Sequence, residues 1–164
     1  MTDQAAATSV HASIVVDAPI DEAFSVFTEG IGSWWPPEYN LLGVDVAERV
    51  FEPRVGGEVY DRGVDGSECH WANVLAYEPP DRVVISWNLS PHWQVEDDPA
   101  RRSEVEVRFT AEATDRTRVE VEHRHLDRHG DGWESLRDAV GSDGGWPGTC
   151  RRFGERISTG APLR

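Results

Sequence analysis

The chain contains no lysine; every one of its 16 basic residues is an arginine. Schiff-base chemistry through a lysine amine is therefore excluded, and the codon bias of a GC-rich genome is enough to account for the absence. Positive charge is scarce overall, with 30 acidic residues giving a net charge of −14. Such a surface repels phosphate backbones and anionic lipid headgroups. The dense basic pairs, Arg101-Arg102 and Arg151-Arg152, both have acidic neighbours. Neither a nucleic-acid partner nor a membrane partner is expected. No apolar run approaches the length of a membrane span, and the start "MTDQAAATSV" has neither the basic nor the apolar region of a leader, so a cytoplasmic location is expected. Cysteine is sparse too. Cys69 and Cys150 form no CxxC pair and no disulfide framework, and both are read as reduced thiols.

Tryptophan, in contrast, is abundant, with 7 residues. Two of them stand together in "GSWWPPEY", residues 32–39. In a helix Trp34 and Trp35 would point about 100° apart, and in a strand to opposite faces. Pro36-Pro37 ends any helix and stiffens the chain beyond it. The stretch is a rigid aromatic corner, either a packing plug or the wall of a binding site.

Periodicity orders the rest. "VHASIVVDA" reads as a strand. "PIDEAFSVFTEG" places Ile20, Ala23, Phe24 and Phe27 at helical spacing, with Pro19 and acids at its start and Gly30 as its stop. "IGSWW" adds a short second turn. From about Glu48 the period is two, through "ERVFEP", "GEVYDRG", "SECHWANVLAYEP", "RVVISWNLS", "SEVEVRFTAEAT" and "TRVEVEHRHL", separated by turn signals such as Gly56-Gly57 and Asp65-Gly66. Consecutive strands with short links predict an antiparallel meander. Trp133, Leu136 and Val140 then share one helical stripe, and Trp146, Cys150, Phe153 and Ile157 another. The expected class is α+β: a curved antiparallel sheet wrapped around a long C-terminal helix, with two short helices after the first strand. Residues 1–164 are read as one domain, with a core over about 10–158 and short flexible termini.

These features resemble the START-like (SRPBCC, helix-grip) superfamily, and within it the branch of the activator of heat-shock-protein-90 ATPase homologues. The resemblance rests on "APIDEAFSVFTEGIGSWWP", "VFEPRVGGEVYDR", "DRVVISW", "TRVEVEHRHLDR" and "GGWPGTCRRF". It implies a cavity between sheet and helix, its mouth bounded by the two short helices and nearby hairpin loops. Trp34, Trp35 and Tyr39 would then lie at or just inside that mouth. "AFSVFTEGIGSWWP" and "TRVEVEHRHLDRHG" are also similar to enediyne self-resistance proteins of that branch.

Strand alternation proposes the inner surface. Val119, Val121, His123 and His125 form one row, and Cys69, Trp71, Asn73, Leu75 and Tyr77 a second. Val83, Ile85, Trp87 and Leu89 form a third, and Val105, Val107, Phe109 and Ala111 a fourth. The candidate ligand-binding residues are Trp34, Trp35, Tyr39, Trp71, Asn73, Trp87, Phe109, His123, His125, Trp146 and Phe153. An apolar wall with a few polar groups suits a pocket; the same side chains could equally interdigitate as a packed core. His123-x-His125 is half of a metal site, but no third ligand accompanies it, so no metal and no cofactor is expected. No nucleophile motif or phosphate-cradling loop is present.

The leading expectation is a protein that binds or sequesters a small hydrophobic, aromatic or polycyclic ligand, with antibiotic self-resistance as a sharper variant. Catalysis is left open, leaning against. The alternative is a polyketide cyclase or aromatase using His123 or His125 as proton carrier. A second alternative is a chaperone ATPase co-regulator. Against that role, activator proteins carry a separate chaperone-binding domain for which these residues leave no room.

Overall fold

The computed structural model describes residues 7–160. Its frame is a seven-stranded antiparallel sheet in the order β1-β7-β6-β5-β4-β3-β2. After β1 (Val10–Val16), strands β2 (Val46–Phe51), β3 (Glu58–Gly63), β4 (Glu68–Glu78), β5 (Arg82–Trp87), β6 (Ser103–Ala113) and β7 (Arg116–Arg124) form a meander. β1 returns to pair with β7, from Val10 opposite His123 to Val16 opposite Thr117. This is the expected helix-grip architecture. Helix α1 (Ile20–Phe27) starts after Pro19 with Asp21 and Glu22 in its first turn and buries Ala23, Phe24 and Phe27. The second expected short helix is only a 3-10 turn, Ile31–Ser33. Two proline residues so soon afterwards leave no length in which a helix could propagate.

Helices α2 (Trp133–Val140) and α3 (Trp146–Thr159) come after the sheet. Their junction depends on glycine. A Cβ on Gly145 would lie 2.1 Å from the Val140 carbonyl oxygen, and one on Gly148 only 1.9 Å from that of Asp143. Only glycine lets α3 begin so close behind α2, and the "GGWPG" run thereby fixes where Trp146 enters the interior.

Strand β4 departs from simple alternation. Val59 faces Ala72 while its neighbour Tyr60 faces His70, so Trp71 is an extra residue. A second irregularity lies between Val74 and Ala76. Each bulge inverts the order of faces. Trp71 and Val74 are buried whereas Leu75 is 45% exposed, so Leu75 does not belong to the inner row. Among the described residues no helix is long and apolar enough to cross a membrane.

Candidate functional site

The interior of the sheet divides into a solid half and a hollow half, and the tryptophan pair sits on the boundary. In the solid half Phe27 meets Trp34, Phe109 and Phe153 at ring-centroid distances of 4.9, 5.7 and 5.2 Å. Trp34 is fully buried and its indole N–H donates to the Val26 carbonyl at 2.9 Å. Trp34, Phe109 and Phe153 are therefore core, a plug beneath α1, and none borders the open space.

The hollow half encloses a cavity of about 390 Å³, within the size range of small-molecule sites. Its wall includes Trp35, Trp71, Trp87 and Trp146. Trp35 stacks on Trp71 at 5.3 Å and 27°, and stands edge-on to Trp146 at 5.6 Å. Trp87 stands edge-on to both Trp71 and Trp146. Tyr39 and Trp93 also border the cavity and are about two-fifths exposed, which places them at its mouth.

A buried ion pair carries the aromatic loop. Arg49 on β2 lies directly opposite Asp61 on β3, and both are at least nine-tenths buried. Arg49 Nε and a terminal nitrogen donate to the two Asp61 oxygens at 2.6 and 3.1 Å. Its remaining hydrogens go to the carbonyls of Trp35 at 3.4 Å, Pro36 at 3.2 Å and Tyr39 at 3.1 Å. All five guanidinium N–H groups are thus spent, three of them on the loop. Arg152 on α3 adds a bond to the Trp34 carbonyl at 2.9 Å. Asp61 also accepts the Trp71 indole N–H at 3.3 Å and itself borders the cavity.

The histidines are arranged differently from the sequence expectation. His123 is completely buried and lies behind Trp146, whose indole N–H donates to His123 Nδ1 at 3.1 Å. An indole can only donate, so Nδ1 accepts and the imidazole proton sits on Nε2, 2.7 Å from Ser103 Oγ. Ser103 Oγ then donates to His129 Nε2, also at 2.7 Å. Burial, and after it the neighbouring His129, lowers the His123 pKa to about 3. Burial is also the main cause that lowers His129 to about 4. Both rings are neutral at ordinary pH, and this network holds the Trp146 ring in place without reaching the cavity.

His125 lies beyond the end of β7, with φ 61° and ψ 34°, and is exposed. The strand stops at Arg124, so the alternation that would have turned His125 inward no longer applies; His129, from the next 3-10 turn (Leu126–His129), occupies the interior instead. Asn73 points away from the cavity. Its amide oxygen accepts from Asn88 Nδ2 at 2.8 Å, Asn88 accepts from Ser86, and Ser86 Oγ accepts from the Asn73 backbone N–H. Of the expected residues, Trp35, Tyr39, Trp71, Trp87 and Trp146 border the cavity together, while Trp34, Asn73, Phe109, His123, His125 and Phe153 do not. Sequence reasoning missed Asp61, Trp93 and Thr149 on the wall and Arg49 behind it. Asp61 shares the strand parity of the buried Val59, a signal that could have exposed it. Among the described residues no group of three or more His, Cys, Asp or Glu side chains could hold a metal ion.

A curled antiparallel sheet closed by helices over a tryptophan-lined hollow defines an α+β protein of helix-grip type. Residues 17–157 match the model of the activator of Hsp90 ATPase homolog 1-like protein family, and the chain belongs to that family. Comparison with curated proteins gives no match. Among solved structures, the chain is similar to an anthrahydroquino-γ-pyrone synthase, Txn09, at 39% identity over 91% of this chain and 96% of the other, with a TM-score of 0.65. It is also similar to the self-sacrificing resistance protein CalC from Micromonospora echinospora, at 30% identity over 95% and 97%, TM-score 0.67. A protein from Nitrosomonas europaea, 16% identical with a TM-score of 0.68 over 97% and 99%, shares the fold.

Proposed function

We propose that the protein binds a planar polycyclic aromatic molecule in the tryptophan-walled cavity. The observation that carries this reading is the convergence of Trp35, Trp71, Trp87 and Trp146 on one hollow. Stacked and edge-on indoles offer large apolar contact with little rotamer entropy to lose. The loop that presents Trp35 is already fixed by Arg49, so little ordering remains to be done on binding. Similarity to a protein named an anthrahydroquino-γ-pyrone synthase and to one named a self-sacrificing resistance protein supports the same ligand class, and self-resistance by sequestration is the role it suggests.

The test is a titration with 2-methoxyanthracene, monitored by anthracene emission. Saturable one-to-one binding that weakens in Trp35→Ala supports the reading. No binding of this probe, of 2-hydroxyanthracene or of anthracene-2-carboxylate up to the solubility limit overturns it.

The 39% identity to a synthase favours one second reading, ring closure on the same bound class of molecule. His123 and His125 are not positioned for it. Asp61, whose carboxylate borders the cavity, would be the group in reach of a ligand proton. Single-turnover assays with wild type and Asp61→Asn separate turnover from binding.

A further inference from the structure

We propose that the ligand is a phenolic polycycle whose hydroxyl edge points inward, toward Asp61 and Thr149. This rests on the polycyclic reading above and adds a direction and a chemical selectivity to it.

The inner wall has acceptors to spare and few protons left to give. Asp61 is 2% exposed, and its carboxylate accepts three hydrogen bonds, two from Arg49 and one from Trp71. A carboxylate offers about four lone-pair directions, so one remains. Thr149, on the first turn of α3, is 5% exposed. Its hydroxyl proton is already committed to the Gly145 carbonyl at 2.8 Å, which leaves the oxygen free only to accept.

The other polar groups of the inner wall are either spent or withheld from the cavity by burial. Trp71 Nε1 is used on Asp61 and Trp146 Nε1 on His123. Trp87 Nε1 is buried beneath the wall without a partner among the described residues. Burial, with the Asp61 carboxylate, pushes the Cys69 thiol above its ordinary pKa, so it stays an uncharged, weak donor. Stronger donors remain toward the mouth, in the Trp35 and Trp93 indoles, the Tyr39 hydroxyl and the second amide proton of Asn40.

A ligand whose inner edge carries only acceptors would leave the spare lone pairs of Asp61 and Thr149 stripped of water and unused, and would forgo the one hydrogen bond that they offer. A carboxylate there would be stripped of water beside an Asp61 whose only cation, Arg49, is already fully engaged, and would find no cation of its own among the described residues. A phenol gives its one proton to one of these oxygens and brings no charge.

Three probes with the same ring system decide the matter: 2-hydroxyanthracene, 2-methoxyanthracene and anthracene-2-carboxylate, titrated by equilibrium dialysis. The phenol is expected to bind about three- to tenfold more tightly than the ether, the value of one hydrogen bond. The carboxylate should bind on the order of a hundredfold more weakly than the phenol. In Thr149→Val the preference for phenol over ether should shrink. Equal binding of phenol and ether, or a carboxylate as tight as the phenol, overturns the inward phenol and leaves the polycyclic reading standing. Failure of all three probes overturns both. If Thr149→Val does not fold, the wild-type series alone still decides.

Discussion

Trp34 and Trp35 are adjacent in sequence and touch edge-on at 5.6 Å, yet they belong to different compartments. Trp34 is fully buried against Phe27 and Phe153, and Trp35 faces the hollow. Truncating them should therefore have opposite signatures. Trp34→Ala is expected to lower stability by about 3–5 kcal/mol, as core aromatic truncations do. Trp35→Ala should weaken binding of an anthracene-type ligand by about 1–3 kcal/mol with a smaller loss of stability. Denaturant melts and ligand titrations on both variants check this, and equal stability losses with unchanged binding would count against the division.

Arg49→Met should be among the most damaging single changes in the protein. It leaves the buried Asp61 carboxylate without its cation and frees three loop carbonyls, at an expected cost of about 3–5 kcal/mol. The double variant Arg49→Met with Asp61→Leu should recover part of that loss, because it removes the orphaned charge. Urea unfolding of the two variants beside wild type measures the recovery.

Acid should destabilise the fold through His123 and His129. Their folded pKa values, about 3 and about 4, lie below the ordinary histidine value of 6.5. Between these limits the unfolded chain binds protons that the folded chain excludes. Stability is then complete above about pH 6.5 and falls as pH drops toward 4, by at most about 1.4 kcal/mol per histidine per pH unit. Melting curves from pH 4 to 7 should show this slope, and His129→Phe should flatten it.

His125→Ala should leave ligand affinity unchanged, since the side chain is exposed and lies beyond the strand end. Stability should shift by no more than about 1 kcal/mol. A large loss of binding in this variant would place His125 in the site after all.

Gly145→Ala should disturb the cavity from behind. The added methyl would sit 2.1 Å from a backbone oxygen, and relief requires α3 to move and carry Trp146 with it. Lower stability and weaker ligand binding together are expected, read by thermal melts and the same titration.

The strand order, the outer helices and the tryptophan wall were legible because period-two and period-3.6 patterns report burial directly. Two of the misplaced residues share one physical cause. Alternation assumes an unbroken ladder, and the bulges at Trp71 and Leu75 and the left-handed turn at His125 each break it. Asn73 and His125 were misplaced for that reason. Arg49 and Asp61 escaped notice because charged residues in strands are read as solvent-facing. Only the register that sets them opposite each other shows that they neutralise one another inside. The solid half of the interior was also invisible, since Phe109 and Phe153 obey the same periodicity whether they meet a void or Phe27.

The chain of bonds from Trp146 through His123 and Ser103 to His129 joins α3, β7, β6 and the turn after β7. No two of these groups are closer than six positions in sequence. The orientation of one indole thus depends on four segments having already docked, and contacts so distant along the chain are slow to form. The cavity is accordingly expected to form late in folding. A chain that has formed its sheet but not seated α3 would present loose tryptophans and no binding site, so appearance of ligand affinity during refolding should report completion of the native state.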